Sequence, residues 1–351
     1  MQKNKKAYLE CLRVFSILGV LYCHTATRGL TLYEVTNVPF EYYFSKTALL
    51  FSQVCVPIFF MISGALLLPR QEDIKVHLKR RVLKFAILSV LAIFLQYLYE
   101  IAGHPAYAIF HPEEPVVRSG FSLQEFWKML HSTGAIYQHW FLFAYFSFLL
   151  LLPFLRYVAK ALEEKQLIWY LLALYLVYTL AFPFWERLWH LPPSGLQFPL
   201  FTNCAFFPLV GYLCDRNEFF QKGKTVLGAA MSSIVVTVIN LVMMEAKKDL
   251  FEAFYVFLYT VTIYIAVKYC FQRWQCPKKL ESFWIFCGSG VFGTYLLETV
   301  LRHLCDPIYG LFLGLGRIPA LFAWVISAAA LGVFVVGATK KIFRARSNKK
   351  S

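Results

Sequence analysis

Charge is what this sequence most lacks. Only 16% of its 351 residues are Asp, Glu, Lys or Arg, where soluble globular chains carry about a quarter. Hydrophobic residues make up 59%, aromatics 18%, and mean hydropathy is +0.55. This excludes an ordinary soluble chain, a disordered one, a collagen-like or coiled-coil fibre and a secreted disulfide scaffold. Ligand and nucleotide motifs are missing too. Nine cysteines are present, yet no two form C-x-x-C. Cys11, Cys23, Cys55, Cys204, Cys287 and Cys305 lie in or beside apolar runs and read as small apolar residues. None of the histidines sits in H-E-x-x-H or a comparable spacing, so no metal ligands are assigned. No Walker or G-x-G-x-x-G loop occurs, and Gly288-Ser289-Gly290 lies inside an apolar run with no Lys-Ser/Thr pair after it. There is no internal repeat, and no matched pair of interrupted apolar segments of the kind transporters use.

What the chain does have is apolar length. Segments at roughly 7–25, 44–68, 82–102, 137–155, 167–184, 199–213, 225–245, 251–270, 283–301 and 318–339 are each bounded by charge, Pro or Gly. At about 20 residues per span, ten spans take roughly 210 positions. Little is left for a separate soluble domain. The expected fold is an all-α polytopic bundle of about ten transmembrane helices, one domain over residues 1–351.

The net charge of +15 is then a topology signal, and nothing in it points to nucleic acid or to a particular oligomeric state. With the N-terminus inside, the inner face collects Lys3, Lys5 and Lys6; Arg70, Lys75, Lys79, Arg80, Arg81 and Lys84; Arg156, Lys160 and Lys165; Arg216, Lys222 and Lys224; Lys268, Arg273, Lys278 and Lys279; and Lys340, Lys341, Arg344, Arg346, Lys349 and Lys350. That is 25 of the 35 basic residues. Nine fall outside, namely Arg28, Lys46, Arg118, Lys128, Arg187, Lys247, Lys248, Arg302 and Arg317. The asymmetry predicts both termini in the cytoplasm, 340–351 as a basic cytoplasmic tail, and a multi-pass protein of the plasma or inner membrane. The first apolar run carries Glu10 and Arg13 and lacks a small-residue cleavage site, so it reads as a retained helix. Tyr42, Tyr43, Trp127, Trp140, Trp185, Trp189, Trp274 and Trp284 fall near span ends, as interfacial anchors do. The longest connection, about 103–136, is expected outside. Its Ser122-Leu123-Gln124-Glu125 is a capping box opening a short interfacial helix over Phe121–His131, either a tether or a platform for an external substrate.

Ionisable groups at membrane depth cost several kcal/mol unless paired or wet, so the exceptions are informative. Arg13 lies in span 1, one turn after Glu10, and the two can form an intrahelical pair. His24 follows Arg13 by 11 residues, about 16 Å and three turns, so the two share a face. By itself His24 suits either an interfacial hydrogen bond or proton transfer. Glu298, near the outer end of span 9 at similar depth, can orient His24, move a proton itself, or pair with Arg302 one turn later. The basic run Lys79-Arg80-Arg81 with Lys84 fits anionic lipid at the inner face, and equally the phosphates of a nucleotide-like donor.

Taken together, Tyr8-Leu9-Glu10-x-x-Arg13, Arg13-x10-His24, Val56-Pro57-Ile58-Phe59-Phe60-Met61-Ile62-Ser63-Gly64, the basic run opening span 3 and His139-Trp140-Phe141-Leu142 resemble the integral-membrane acyltransferase-3 family, in particular its surface-polysaccharide O-acyltransferase branch. The resemblance covers nearly the whole chain. It implies an acyl-coenzyme A donor, commonly acetyl-coenzyme A, bound from the cytoplasm as a substrate with no permanently bound cofactor. The acceptor it implies is a hydroxyl of a cell-surface or lipid-linked glycan. On this analogy His24 is the catalytic base and Arg13 assists at the donor or the reacting carbonyl. Arg80, Arg81 and Lys84 would hold the donor, though Arg81-x-x-Lys84 matches the family's Arg-x-x-Arg only in part and lacks the second forked guanidinium. Glu298 stands where many relatives carry His after Tyr-Leu-x; it keeps a proton-transfer group with a different charge. Ser63 is a conceivable acyl carrier, but Ser-Gly on a membrane helix also serves close packing. Two other classes fit the same residues. A transporter or flippase would line a polar path with Arg13, Glu298 and His24, and a structural or sensory subunit would merely pair them.

Overall fold

The computed structural model describes residues 4–131, 139–192, 198–245, 252–274 and 276–348. Lys3, Lys247, Lys248, Lys349 and Lys350, residues 132–136 of the long connection and residue 351 of the tail lie outside them. Among the described residues the regular structure is helical, with no strand. The principal helices are α1 (Asn4–Cys23), α2 (Pro39–Ser52), α3 (Cys55–Leu67), α4 (Ile74–Ile101), α5 (Leu123–His131), α6 (Trp140–Ala161), α7 (Lys165–Leu188), α8 (Asn203–Arg216), α9 (Gly223–Glu245), α10 (Glu252–Arg273), α11 (Lys278–Leu296), α12 (Glu298–Leu304), α13 (Asp306–Phe312) and α14 (Arg317–Asn348).

The described residues of each apolar segment lie mainly on one or two of these helices, but they are not ten equal rods. Seven, counting α2 with α3 as one, are long and apolar enough to cross a membrane, and an eighth arises if α11 and α12 form one span. Those two are bent by 95° at Leu297, so the continuous helix expected over 283–301 is broken. The α1 helix is 20 residues long but holds Glu10 and Arg13 as well as Lys5 and Lys6. At 14 residues, α8 falls short of the roughly 20 a span needs.

The chain forms two compact units, residues 1–45, 78–143 and 276–351 in one, and residues 46–77 and 144–275 in the other. The second unit is organised by α3 and α8. Ten of the 13 residues of α3 are buried, which suits a helix apolar all round. A methyl group on Gly64 would overlap the Pro208 backbone, and one on Gly211 would overlap the Met61 backbone. The two helices therefore touch main chain to main chain, as small residues permit where lipid supplies no hydrophobic drive. Ser63 Oγ donates to the Phe59 carbonyl at 2.9 Å, a packing bond within α3. Lys268, counted above among the inner-face cations, is buried in α10. Its Nζ donates to the Cys214 and Asp215 carbonyls at 3.0 and 2.8 Å, so a cation closes the C-terminal end of α8. Lys46 is likewise buried, in α2.

In the first unit α1 and α14 both pack on α11, and glycines make the approach possible. Gly288 faces the Glu10 side chain, Gly290 faces Val333 and Gly293 faces Val336. The capping box is realised in part: the Glu125 backbone N–H donates to Ser122 Oγ at 3.3 Å. Tyr97 ties α5 to α4, its hydroxyl donating to the Ser122 carbonyl at 3.0 Å and accepting from the Ser122 N–H at 2.8 Å.

The connection after α4 is held to α13 by charge. Asp306 accepts from Arg28 and, at 2.8 Å, from His111 Nε2, and Arg28 lies over the Tyr309 and Trp324 rings at 4.9 and 5.1 Å. The Asp306 bond raises His111 above the ordinary imidazole range. Burial works against a charged Asp306, but Arg28 and His111 outweigh it and hold the carboxyl below its usual range.

Two outcomes follow from this packing. Gly64→Ala or Gly211→Ala should cost about 1–3 kcal/mol through overpacking and lower the detergent melting temperature by roughly 3–10 °C. Gly228→Ala, where an added methyl meets nothing within 4 Å, should leave it unchanged; equal melting of all three would sink the main-chain contact. Because the folded His111 pKa is raised, its contribution is complete below the unfolded value of about 6.5 and fades as pH rises through the folded value. Amide exchange over residues 105–118, corrected for intrinsic rate, should lose protection between pH 6 and pH 9 in the wild type and show no such step in His111→Ala.

Candidate active site

The last residue of α1 is Cys23, and His24 follows at the start of a turn closed by His24 N–H to the Leu21 carbonyl at 3.2 Å. Thr25 locks that turn: its buried hydroxyl donates to the Tyr22 carbonyl at 2.7 Å and accepts from the Leu30 N–H at 3.1 Å. Ala26 is held at φ 47°, a left-handed setting that a non-glycine residue keeps only where its surroundings impose it. The imidazole is thus presented from a fixed backbone.

Its partner comes from the break in the other chain segment. The 95° bend at Leu297 makes Glu298 the first residue of α12, where a carboxylate is favoured by the unsatisfied N–H groups of the first turn. His24 Nδ1 and Glu298 Oε2 are 2.7 Å apart. The other carboxylate oxygen, Oε1, accepts from Arg302 Nε at 2.7 Å. Arg302 also donates from its terminal nitrogen to the His24 carbonyl at 2.8 Å, and the Arg302 carbonyl accepts from Trp324 Nε1 at 3.0 Å. The result is a closed ring from His24 side chain to Glu298 to Arg302 and back to the His24 main chain. Side-chain exposure is 2% for Glu298, 11% for His24 and 13% for Arg302. A carboxylate so buried must be paired on both oxygens, and here it is. As the carboxylate can only accept, Nδ1 carries the proton toward it, and in the neutral ring Nε2 is then the nitrogen with the lone pair.

The two partners that spacing allowed Glu298 are therefore both used, one on each oxygen. Arg13 is in the other arrangement its spacing allowed, an ion pair with Glu10 in the next turn toward the N-terminus. The Glu10 side chain occupies the notch left by Gly288, and Arg13 is not brought to the His24 ring. Arg80 and Arg81 sit on a π-helical turn, Leu78–Val82, with Lys84 just beyond it. Such turns recur at functional sites. Arg80 and Lys84 are exposed and Arg81 half-buried. Phe85 packs on Phe292 with ring centroids 5.9 Å apart; Phe292 precedes Glu298 by six residues, about 9 Å of helix. The basic turn thus lies on the α11 side of the bend, away from the dyad.

His139 joins from the start of α6. It is 4% exposed, stands edge-on to Tyr295 with ring centroids 6.2 Å apart, and among the described residues its buried Nδ1 has no hydrogen-bond partner. Tyr295 also meets Phe141 edge-on at 5.5 Å. Sequence spacing signalled Arg302 only as a partner for Glu298; its bond to the His24 carbonyl, the Trp324 support and the burial of His139 have no local signature. Among the described residues, His111, Glu113 and Glu114 bring possible metal-ligand atoms within 4.8 Å of one another. Both glutamates are exposed and His111 is already committed to Asp306, so these residues are read as part of the loop clamp.

No curated protein and no solved structure gives a significant match to the chain. A family profile does: that of the acyltransferase domain matches residues 6–339, which takes in both compact units and every site residue named above. The apolar helices suit a multi-pass membrane protein, and by this match the chain belongs to the acyltransferase-3 family of membrane acyltransferases.

Proposed function

We propose that the protein is an O-acyltransferase of the surface-polysaccharide branch. In this reading it lies in the plasma or inner membrane with about ten spans and both termini cytoplasmic, and moves an acetyl group from cytoplasmic acetyl-coenzyme A to a hydroxyl of a cell-surface or lipid-linked glycan. The observation that carries it is the His24–Glu298–Arg302 ring. Acyl transfer to an alcohol requires a base for the hydroxyl proton, and a carboxylate that fixes the imidazole tautomer leaves His24 Nε2 as that base. The acceptor oxygen attacks the thioester carbonyl, a C–O bond forms as the C–S bond breaks, and the proton taken by His24 passes to the departing coenzyme A sulfur. Glu298 acts by orienting His24 and stabilising its cationic form, and Arg302 holds the carboxylate in place. Arg80, Arg81 and Lys84 take the donor phosphates. Arg13, on the same helix as His24 and deeper, contacts the donor along its path to the base.

One observation favours the transporter reading, the break between α11 and α12, since transporters build sites from discontinuous helices. They do so in corresponding pairs, and among the described residues there is a single bent pair.

The deciding assay is transfer of labelled acetyl from acetyl-coenzyme A to a glycan extract by membranes bearing equal amounts of folded protein. His24→Ala should lower turnover by about 10²–10⁴-fold, and Glu298→Gln by about 10²-fold or more through loss of the tautomer lock. Wild-type turnover without His24 would remove the base role. Glycan movement with no thioester consumed would bring the transporter reading forward. Arg80→Ala, Arg81→Ala and Lys84→Ala should raise KM for acetyl-coenzyme A while kcat stays within about threefold, the pattern of lost ground-state binding; a fall in kcat alone would take these residues out of the donor site.

A further inference from the structure

The ring of His24, Glu298 and Arg302 supplies a base and its orientation, but nothing in it faces the oxygen on which charge gathers when an acyl carbonyl is attacked. Acyl-transfer sites meet that charge with fixed N–H donors. His24 offers Nε2 as an acceptor, and both Glu298 oxygens are already occupied.

A second imidazole packs on the residue one turn before Glu298. His139 immediately precedes α6, a 22-residue helix, at the end where unsatisfied N–H groups and the positive pole of the dipole are found. Its side chain is held against Tyr295, three residues before Glu298, and is shielded from solvent. Glu298 follows Tyr295 by one turn and meets the His24 ring at 2.7 Å, so the His139 imidazole stands on the segment that delivers the dyad. Most buried polar nitrogens are hydrogen-bonded, yet among the described residues His139 Nδ1 is buried without a partner. A polar nitrogen kept in such a place beside a proton-transfer dyad is explained if its partner arrives with the substrate.

We propose that His139 is a catalytic residue of the acyl transfer, its Nδ1–H donating to the carbonyl oxygen of the acyl thioester and to the oxyanion that forms as the acceptor hydroxyl attacks. An uncharged imidazole can fill this electrophilic role. No proton changes hands at His139: the hydroxyl proton goes to His24 Nε2 and then to the thiolate sulfur, and the oxyanion collapses to the ester carbonyl as the C–S bond breaks. This assignment rests on the acyltransferase reading above.

The test is acetyl-coenzyme A turnover by the full-length protein with a glycan extract, for wild type, His139→Phe, His139→Asn and His139→Gln, with melting temperature measured for each. The Asn side-chain N–H falls where Nδ1 stands, and that of Gln falls where Nε2 stands. His139→Phe should lower kcat by about 10²–10³-fold with KM for acetyl-coenzyme A within about threefold. His139→Asn should stay within about tenfold of wild type, and His139→Gln should fall with His139→Phe. Turnover by His139→Phe within threefold of wild type overturns the proposal. So does His139→Asn, melting as the wild type does, with a kcat no higher than His139→Gln. That Asn-to-Gln comparison decides the matter even where His139→Phe fails to fold. A wild type that consumes no acetyl-coenzyme A overturns the acyltransferase reading and this assignment together, whereas turnover that is indifferent to position 139 overturns this assignment alone.

Discussion

A carboxylate shielded almost completely from water is the constraint around which the first unit is arranged. Leaving Glu298 charged and unpaired at this depth would be prohibitive, so each oxygen must meet a hydrogen-bond donor with good geometry. One oxygen has the His24 ring and the other the Arg302 guanidinium. Both partners must come from fixed positions. Arg302 is one turn along α12, and His24 is brought in by the turn after α1 that Thr25 pins. The 95° bend at Leu297 follows from the same demand, because Glu298 then opens a helix whose first N–H groups favour a negative charge.

That arrangement depends on how closely α1, α11 and α14 approach one another. Gly288 admits the Glu10 side chain, and Gly290 and Gly293 admit two valines of α14. Side chains at these positions would hold the helices apart and move the two ends of the His24–Glu298 bond by more than a hydrogen bond tolerates. The Glu10–Arg13 pair is thus part of the α1–α11 seam as well as a charge pair within one helix. The Gly64–Gly211 contact builds the second unit by the same rule.

Apolar length was legible because it is a property of the sequence itself, and the described residues of each segment lie mostly on helix. The i,i+3 pair of Glu10 with Arg13 and the i,i+4 pair of Glu298 with Arg302 were legible for the same reason, being separated by one turn. The alternatives open for Glu298 could not be decided from spacing, since a carboxylate has two oxygens and uses both. What local sequence hides is tertiary in origin. No Pro or Gly stands at Leu297 to announce the bend, and Lys268 counts in the sequence only as one more inner-face cation although it caps the end of α8 from within α10. Trp324 is an ordinary aromatic, and His139 a motif residue without an assigned role, until the fold places them beside Arg302 and Tyr295.

The choice of Glu at position 298 over an imidazole has a physical consequence for its neighbours. A neutral imidazole has one acceptor nitrogen, so a histidine here could accept from His24 or from Arg302 but not from both. Whichever it served, the other would lose its acceptor, and an unpaired guanidinium at 13% exposure is the costlier loss. Glu298 and Arg302 are therefore one choice. The guanidinium offsets the burial of the carboxylate, the carboxylate fixes the histidine, and the bond from Arg302 to the His24 carbonyl returns the restraint to the backbone that presents the ring. In the proposed reaction this sets a balance. The carboxylate is held between two fixed donors, so the His24 ring keeps one orientation while the charge on Glu298 stays compensated by Arg302.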